Sequence, residues 1–305
     1  MRGPDTRPRV EPRTVGSLLR RWTAELSRSG VESAGGDVRR LVAAVLDVPA
    51  AALLSEPNRA LTDAQLSTLG RYVARRIERE PVSRIIGWRD FYGRPFTISP
   101  ATLDPRPESE TLIEAALEIA REEAWEQPRI LDVGTGSGCL LLTLLCELPH
   151  SHGVGTDVSA QALSIARANA RHLGLTQRAS WLTADALETV RGPFHMLVAN
   201  PPYVRTGEIA HLEPEVCNFD PNASLDGGPD GLDLYRRLAP RVSSVVQNGW
   251  AVLEVGFDQA DAVVSILTEA GLGSDGGSIR VRRDVAGKRR CVAVKTRPGA
   301  YAASA

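Results

Sequence analysis

Beyond Gln127 the chain alternates short apolar runs with amphipathic stretches, and nothing else in it constrains the fold as tightly. Short segments at 129–133, 153–157, 179–183, 195–199, 249–255 and near 291–295 read as strands. Between them, residues at about 138–147, 160–172, 231–246 and 258–270 repeat apolar positions at helical spacing. Such a succession predicts an α/β architecture with a parallel, doubly wound sheet. Open sheets of this kind bind ligands outside the carboxyl ends of their strands. The residues that end each strand are therefore the first place to look for chemistry.

The first strand, Ile130-Leu131-Asp132-Val133, runs into Gly134-Thr135-Gly136-Ser137-Gly138 and then a helix. Glycines at such a turn let the backbone bend sharply and approach a ligand closely. A dinucleotide fingerprint G-x-G-x-x-G would need glycine at 139 or 141, where Cys139 and Leu141 stand, and the spacing of a phosphate-binding G-x-x-x-x-G-K-[ST] loop is missing. Asp157 ends the next strand, where an acid can take the hydroxyls of a ribose, and Asp185, followed by Ala186, closes the third. The fourth stops at Asn200-Pro201-Pro202-Tyr203. Two prolines remove two N–H donors and push the residues before them out of the helical region. Asn200 is thus held extended, with an amide able to grip another planar NH2 group, beside carbonyls that cannot continue a ladder. Asn-Pro is also a common turn dipeptide, and each acid alone reads more readily as a cap. Four such residues in register at successive strand ends point to a nucleoside ligand beside an amide-gripping site.

Upstream, residues 1–13 are rich in Pro and Arg and are expected to be disordered, as is a tail at 297–305. Residues 14–81 read as a small helical bundle. A first helix carries Val15, Leu18, Leu19, Trp22 and Leu26, a second starts behind Asp37, and a third opens with the capping-box pattern Thr62-Asp63-Ala64-Gln65. Its basic residues Arg71, Arg75, Arg76 and Arg79 read as a solvated face, because Glu78 and Glu80 interleave. Residues 82–105, including Ile85-Ile86-Gly87-Trp88, alternate β-formers with turn residues and predict a β-hairpin linker to a domain at 106–296. Net charge is -1 over 305 residues, so no global basic field argues for nucleic acid. The four cysteines show no C-x-x-C pair and read as reduced, mostly buried thiols, with neither disulfide nor metal expected. No apolar run reaches the roughly 18 residues of a membrane span, and no secretory signal is legible. The cytoplasm is the expected compartment.

The glycine loop, Asp157, Asp185 and Asn-Pro-Pro-Tyr together resemble the class I S-adenosylmethionine-dependent methyltransferases, in the branch that methylates planar nitrogens. Glu80-Pro81, Gly87, Phe91-Tyr92-Gly93 and Pro105-Arg106-Pro107-Glu108-Ser109-Glu110 resemble the linker of the PrmC/HemK protein-glutamine methyltransferases. The run from Asp220 to Leu232, then Leu253-Glu254-Val255-Gly256, Gln259 and the run from Asp284 to Arg289 are similar to their later segments. Leu103-Asp104, and Ser109 in place of a usual Thr, depart from the pattern; Ala186 stands where some members carry an aromatic against the adenine. The resemblance implies a Rossmann-like mixed sheet, and S-adenosyl-L-methionine held by Gly134, Thr135, Gly136, Ser137, Gly138, Asp157, Asp185, Ala186 and Asn200. It also implies catalysis at Asn200, Pro201, Pro202 and Tyr203, with Arg106 beside them on the substrate. The implied substrate is the Gly-Gly-Gln glutamine of class-1 peptide-chain release factors, methylated on N5 by a monomer that touches no nucleic acid. A ribosomal-protein glutamine methyltransferase, an N6-adenine DNA methyltransferase and a non-catalytic nucleoside-binding module are the rival readings.

Overall fold

A computed structural model describes residues 13–273 and 279–296. Of the segments expected to be loose, 1–13 and 297–305, all but Arg13 lie outside the described residues, and the Arg13 carbonyl accepts from Leu61 N at 2.9 Å. The chain divides into two compact units, one up to Ile86 and one from Gly87.

The first unit is helical. Helix α1 spans Val15–Arg28, α2 Ala34–Leu46, α3 Asp63–Ile77 and the short α4 Val82–Ile86. The capping box forms as expected: Thr62 Oγ1 accepts from Gln65 N at 3.3 Å, and Gln65 Oε1 accepts from Thr62 N at 2.9 Å. Three expectations need correction. Helix α2 begins at Ala34, ahead of Asp37, so Asp37 lies inside the helix and is buried. Its carboxylate accepts from Arg76 Nε at 2.8 Å, from Arg40 at 2.9 Å and from the Ser33 hydroxyl at 2.9 Å. Arg76 is accordingly buried, not solvated, because a partner on a neighbouring helix neutralises it. Ile85 and Ile86 close a helix, not a strand, since Ile85 can then join Val38, Leu41 and Leu69 in the core.

The second unit opens with the hairpin β1 (Trp88–Phe91) and β2 (Arg94–Thr97). It is more than a linker. Phe91 and Phe96 meet edge-on with ring centroids 6.2 Å apart and are buried with Ile113 and Leu141. A single 3-10 turn at Pro107–Ser109 then leads into α5 (Glu110–Glu122).

The strands that follow are β3 (Arg129–Val133), β4 (His152–Asp157), β5 (Ala179–Thr183), β6 (Phe194–Ala199), β7 (Val246–Glu254), β8 (Ile279–Arg283) and β9 (Arg289–Lys295). Helices α6 (Cys139–Glu147), α7 (Ala160–His172), α8 (Pro214–Cys217), α9 (Asp233–Val245) and α10 (Ala260–Glu269) connect them. The sheet order is β5-β4-β3-β6-β7-β9-β8. Its first five strands run parallel, but β9 pairs antiparallel with both β7 and β8, so the sheet is mixed. Strand β8 escaped the sequence reading, because Ile279-Arg280-Val281-Arg282-Arg283 at the sheet edge carries only two apolar residues. Layers on the two faces bury Leu131, Leu197 and Leu253 on one side and Ile130, Val198 and Val252 on the other. Only Cys291 of the four free cysteines is buried; the other three are half-buried.

Register carries the fold to the site. Val133 lies opposite Thr156 and Ala199, Asp157 opposite Thr183, and Ala199 opposite Leu253. The ends of five strands therefore form one row.

Candidate active site

A cavity of about 840 Å³ opens along that row. Gly134, Thr135, Gly136 and Ser137 line it, with Asp157, Asp185 and Ala186, then Asn200, Pro201 and Pro202. Arg106 and Ser109 reach it from the segment before α5, and residues 221–224 and 226–228 from the loop after α8.

The glycine loop takes its shape from backbone that only glycine adopts at low cost. Gly134, Gly136 and Gly138 have φ of 71°, 55° and 80°. A Cβ at Gly134 would meet nothing within 4 Å, so that face of the loop is open. At Gly138 it would lie 3.1–3.2 Å from Leu142, Ala166 and Trp181, so this glycine also packs the loop against two helices and a strand. Beneath it the Asp132 carboxyl is fully buried, bonded by the Thr135 hydroxyl, and burial pushes its pKa up to about 7. Asn169, also buried, spends its amide on Thr97 N and O at 2.9 and 3.0 Å and on Ser137 O at 2.8 Å. It thereby ties the hairpin to the loop. The sequence reading missed it, since a lone Asn in a helix carries no signal.

Asp157 Oδ2 accepts from Gly136 N and Oδ1 from Ser159 N, each at 2.9 Å. Each oxygen keeps acceptor capacity for a diol. Asp185 is held by Arg237 of α9 at 2.7 Å, and the preceding strand delivers Ala186 in left-handed backbone, φ 48°. Arg106 lines the cavity with its guanidinium on the buried carboxylate of Asp220, which also accepts from Asp104 N at 3.3 Å. The segment before α5 is thus fastened to the loop after α8.

Asn200 Nδ2 donates to the Ser109 hydroxyl at 3.1 Å. Tyr203 does not line the cavity: its hydroxyl turns away to donate to Glu254 Oε1 at 3.3 Å. Its carbonyl accepts from Gln259 Nε2 at 2.9 Å. Val204 N donates to Leu225 O and Gly227 N to Val204 O, so the chain beyond Tyr203 pairs with the loop that borders the cavity. A Cβ at Gly231 would fall 2.3 Å from Tyr203 O, which is why only glycine fits there.

Two profile matches divide the chain in the same way as its contacts do: a PrmC N-terminal domain over residues 17–87 and a methyltransferase small domain over residues 108–213. A release factor glutamine methyltransferase of Bradyrhizobium diazoefficiens is 43% identical over 287 residues, which cover 93% of this chain and 96% of that protein. One of the same name from Rhodospirillum rubrum is 42% identical over 93% of this chain and 85% of its own length. The chain belongs to the release factor glutamine methyltransferase family. It is therefore a methyltransferase. The crystal structure of the hMettl16 catalytic domain superposes with a TM-score of 0.54 over 77% of this chain and 82% of that one; at 13% identity it speaks for the fold alone.

For a release factor glutamine methyltransferase the cavity suits the methyl donor that the fold family implies. The open face of Gly134 leaves room for close backbone approach, and Asp157 has oxygens to spare for a ribose. Glu254, which does not line the cavity, is a buried acid to which the sequence reading gave no role. It ends β7 one residue beyond the pair Ala199–Leu253, 1% exposed, and burial raises its pKa to about 7. An acid closing the apolar run Ala251-Val252-Leu253 was the available signal.

Proposed function

We propose that this protein methylates the side-chain N5 of the glutamine in the Gly-Gly-Gln motif of class-1 peptide-chain release factors, with S-adenosyl-L-methionine as methyl donor. The observation that carries the reading is the Asn200 amide, anchored through Nδ2 to Ser109 at the lip of the cavity. The anchor leaves Oδ1 as an acceptor beside the Pro201 carbonyl, which takes no backbone hydrogen bond among the described residues. The naming of the relatives supports glutamine in release factors as the substrate.

An amide nitrogen is a weak nucleophile because its lone pair is shared with the carbonyl. Asn200 Oδ1 and the Pro201 carbonyl would accept its two N–H bonds, orient it and favour localisation of the lone pair as the C–N bond turns. When bound, the donor supplies an electrophilic sulfonium methyl. The residues of this chain contribute position and stabilisation of the shifting charge. Gly134, Gly136 and Asp157 would hold the nucleoside part, with Asp185 and Ala186 at the base. The proposal gives Tyr203 a supporting role, since its hydroxyl is engaged with Glu254. The helical unit, residues 14–81, would help hold the release factor, and the enzyme would act as a cytoplasmic monomer.

The test is mass spectrometry after incubation with S-adenosylmethionine and three substrates: a release factor, its Gln→Ala variant in the Gly-Gly-Gln loop, and unmethylated duplex DNA. The mass of one methyl group gained on the first alone is the expected result. A gain on DNA, or on the Gln→Ala variant, would overturn the reading.

A further inference from the structure

Three segments meet beside the strand end that carries Asn200, and one buried side chain joins them. Gln259, 3% exposed, stands in the turn between β7 and α10. Its Nε2 donates to Tyr203 O at 2.9 Å and lies 3.4 Å from both Asp230 O and Gly231 O, in the loop before α9. Its Oε1 accepts from Gly256 N at 3.0 Å, just beyond β7. The glycines around it leave room for this amide and little else. A Cβ at Gly256 would fall 2.5 Å from Gln259 Oε1, and one at Gly231 would collide with Nε2. At Gly227 a Cβ would fall 2.6 Å from Pro202 O, so the same loop also closes on the second proline. A further tie runs over the surface, where Arg205 Nη2 meets Asp258 Oδ2 at 2.7 Å.

This packing reaches the cavity through the backbone. Between Asn200 and Tyr203 the two prolines fix φ, and planar peptide bonds fix the links between residues. Few rotations remain that could absorb a turn at Tyr203 before it reaches Pro201. Tyr203 does not line the cavity, and it is pinned at its hydroxyl by Glu254 and at its carbonyl by Gln259. We propose that Gln259, acting through Tyr203 O, is a positioning residue that fixes the aim of the Pro201 carbonyl and the Asn200 amide at the lip of the cavity. That these two groups grip a glutamine amide rests on the function proposed above; that Gln259 holds them in place does not.

An amide suits this place by its chemistry. It donates two hydrogens and accepts through one oxygen, so a single side chain can answer carbonyls on two segments and an N–H on a third. Methionine, of similar shape, would leave Tyr203 O and Gly256 N without these partners. Glutamate keeps the acceptor for Gly256 N but turns the attraction toward Tyr203 O into repulsion. The other end of the cavity has its own supports: Asp157 Oδ2 on Gly136 N at 2.9 Å, and the buried Asn169, whose Nδ2 donates to Ser137 O at 2.8 Å. A change at Gln259 should therefore be felt at Asn200 and not at the glycine loop.

The experiment compares wild type with Q259M, alone and combined with N200A. In the full-length protein labelled with 15N-asparagine, the side-chain NH2 signals of Asn200 and Asn169, assigned by their loss in N200D and N169S, report on the two ends of the cavity. Q259M should shift or broaden the Asn200 pair and leave the Asn169 pair in place. Its kcat on a release factor should fall about 30-fold while the Kd for S-adenosylmethionine stays within about twofold. In the N200A background the same substitution should cost no more than about threefold, because both act on one grip. Three results would each overturn the proposal: unmoved Asn200 signals, equal disturbance at Asn169, or a loss in the N200A background as large as in wild type. Should Q259M not fold, Q259E, which keeps the bond from Gly256 N, goes through the same cycle. Failure of wild type to methylate any release factor would instead sink the proposed function, and the asparagine signals would still judge Gln259.

Discussion

Two buried acids, one in each unit, received opposite treatment. Asp37 in the helical unit sits among Arg76, Arg40 and Ser33, each within 2.9 Å, and its charge is answered on every side. Glu254 in the methyltransferase unit is as deeply buried, but its carboxylate meets one neutral hydroxyl, that of Tyr203, and among the described residues its other oxygen has no hydrogen-bond partner. A buried charge that is fully paired holds helices in place; a buried charge left short is available to act on its neighbours. The two sites show how the same side-chain chemistry is held charged or pushed toward neutrality according to its partners.

The contrast can be pressed at four points. N200A removes the amide argued to grip the substrate, and turnover should fall by about 10³-fold while donor binding stays within about tenfold. Isothermal titration beside the methylation assay separates the two, and equal turnover would end the mechanism. R76A strips Asp37 of its buried partner and should cost the protein about 3 kcal/mol by denaturant unfolding. A loss below about 1 kcal/mol would mean that Arg40 and Ser33 suffice.

Stability against pH distinguishes the acids more finely. The folded pKa of Glu254 lies above its ordinary value, so the stability it contributes is fully present below about 4.5 and is lost as pH rises through about 7. E254Q should therefore gain in melting temperature over wild type from pH 5 to pH 8, by about 2–4 °C per kcal/mol. A constant difference across that range would contradict a raised pKa. The smallest effect is expected at the half-exposed Arg237–Asp185 pair. R237A should weaken donor binding by no more than about 1 kcal/mol, and less in high salt.

Much of this was local and therefore legible. Strands β3 and β6 fall within one residue of their expected bounds, because apolar runs stopped by glycine or proline leave little choice. The capping box placed the start of α3 correctly because its two reciprocal hydrogen bonds lie within four residues. Errors came where a distant partner overrides local pattern. Asp37 reads as a helix start until Arg76, 39 residues away, explains it as an interior pair. Ile85 and Ile86 look like β-formers until the helical core claims them. Strand β8 has few apolar residues because it is an edge.

The amino-acid sequence by itself determined the α/β succession, the glycine loop, the strand-end acids and the extended Asn200 before two prolines. Each depends on backbone preferences and periodicity within a few residues. Only the tertiary structure decided that β9 enters antiparallel, that Arg106 is held by Asp220, and that Ser109, 91 residues before Asn200, accepts from its amide. Those facts follow from strand register and burial, which arise when distant segments exclude water together, and no local propensity encodes them.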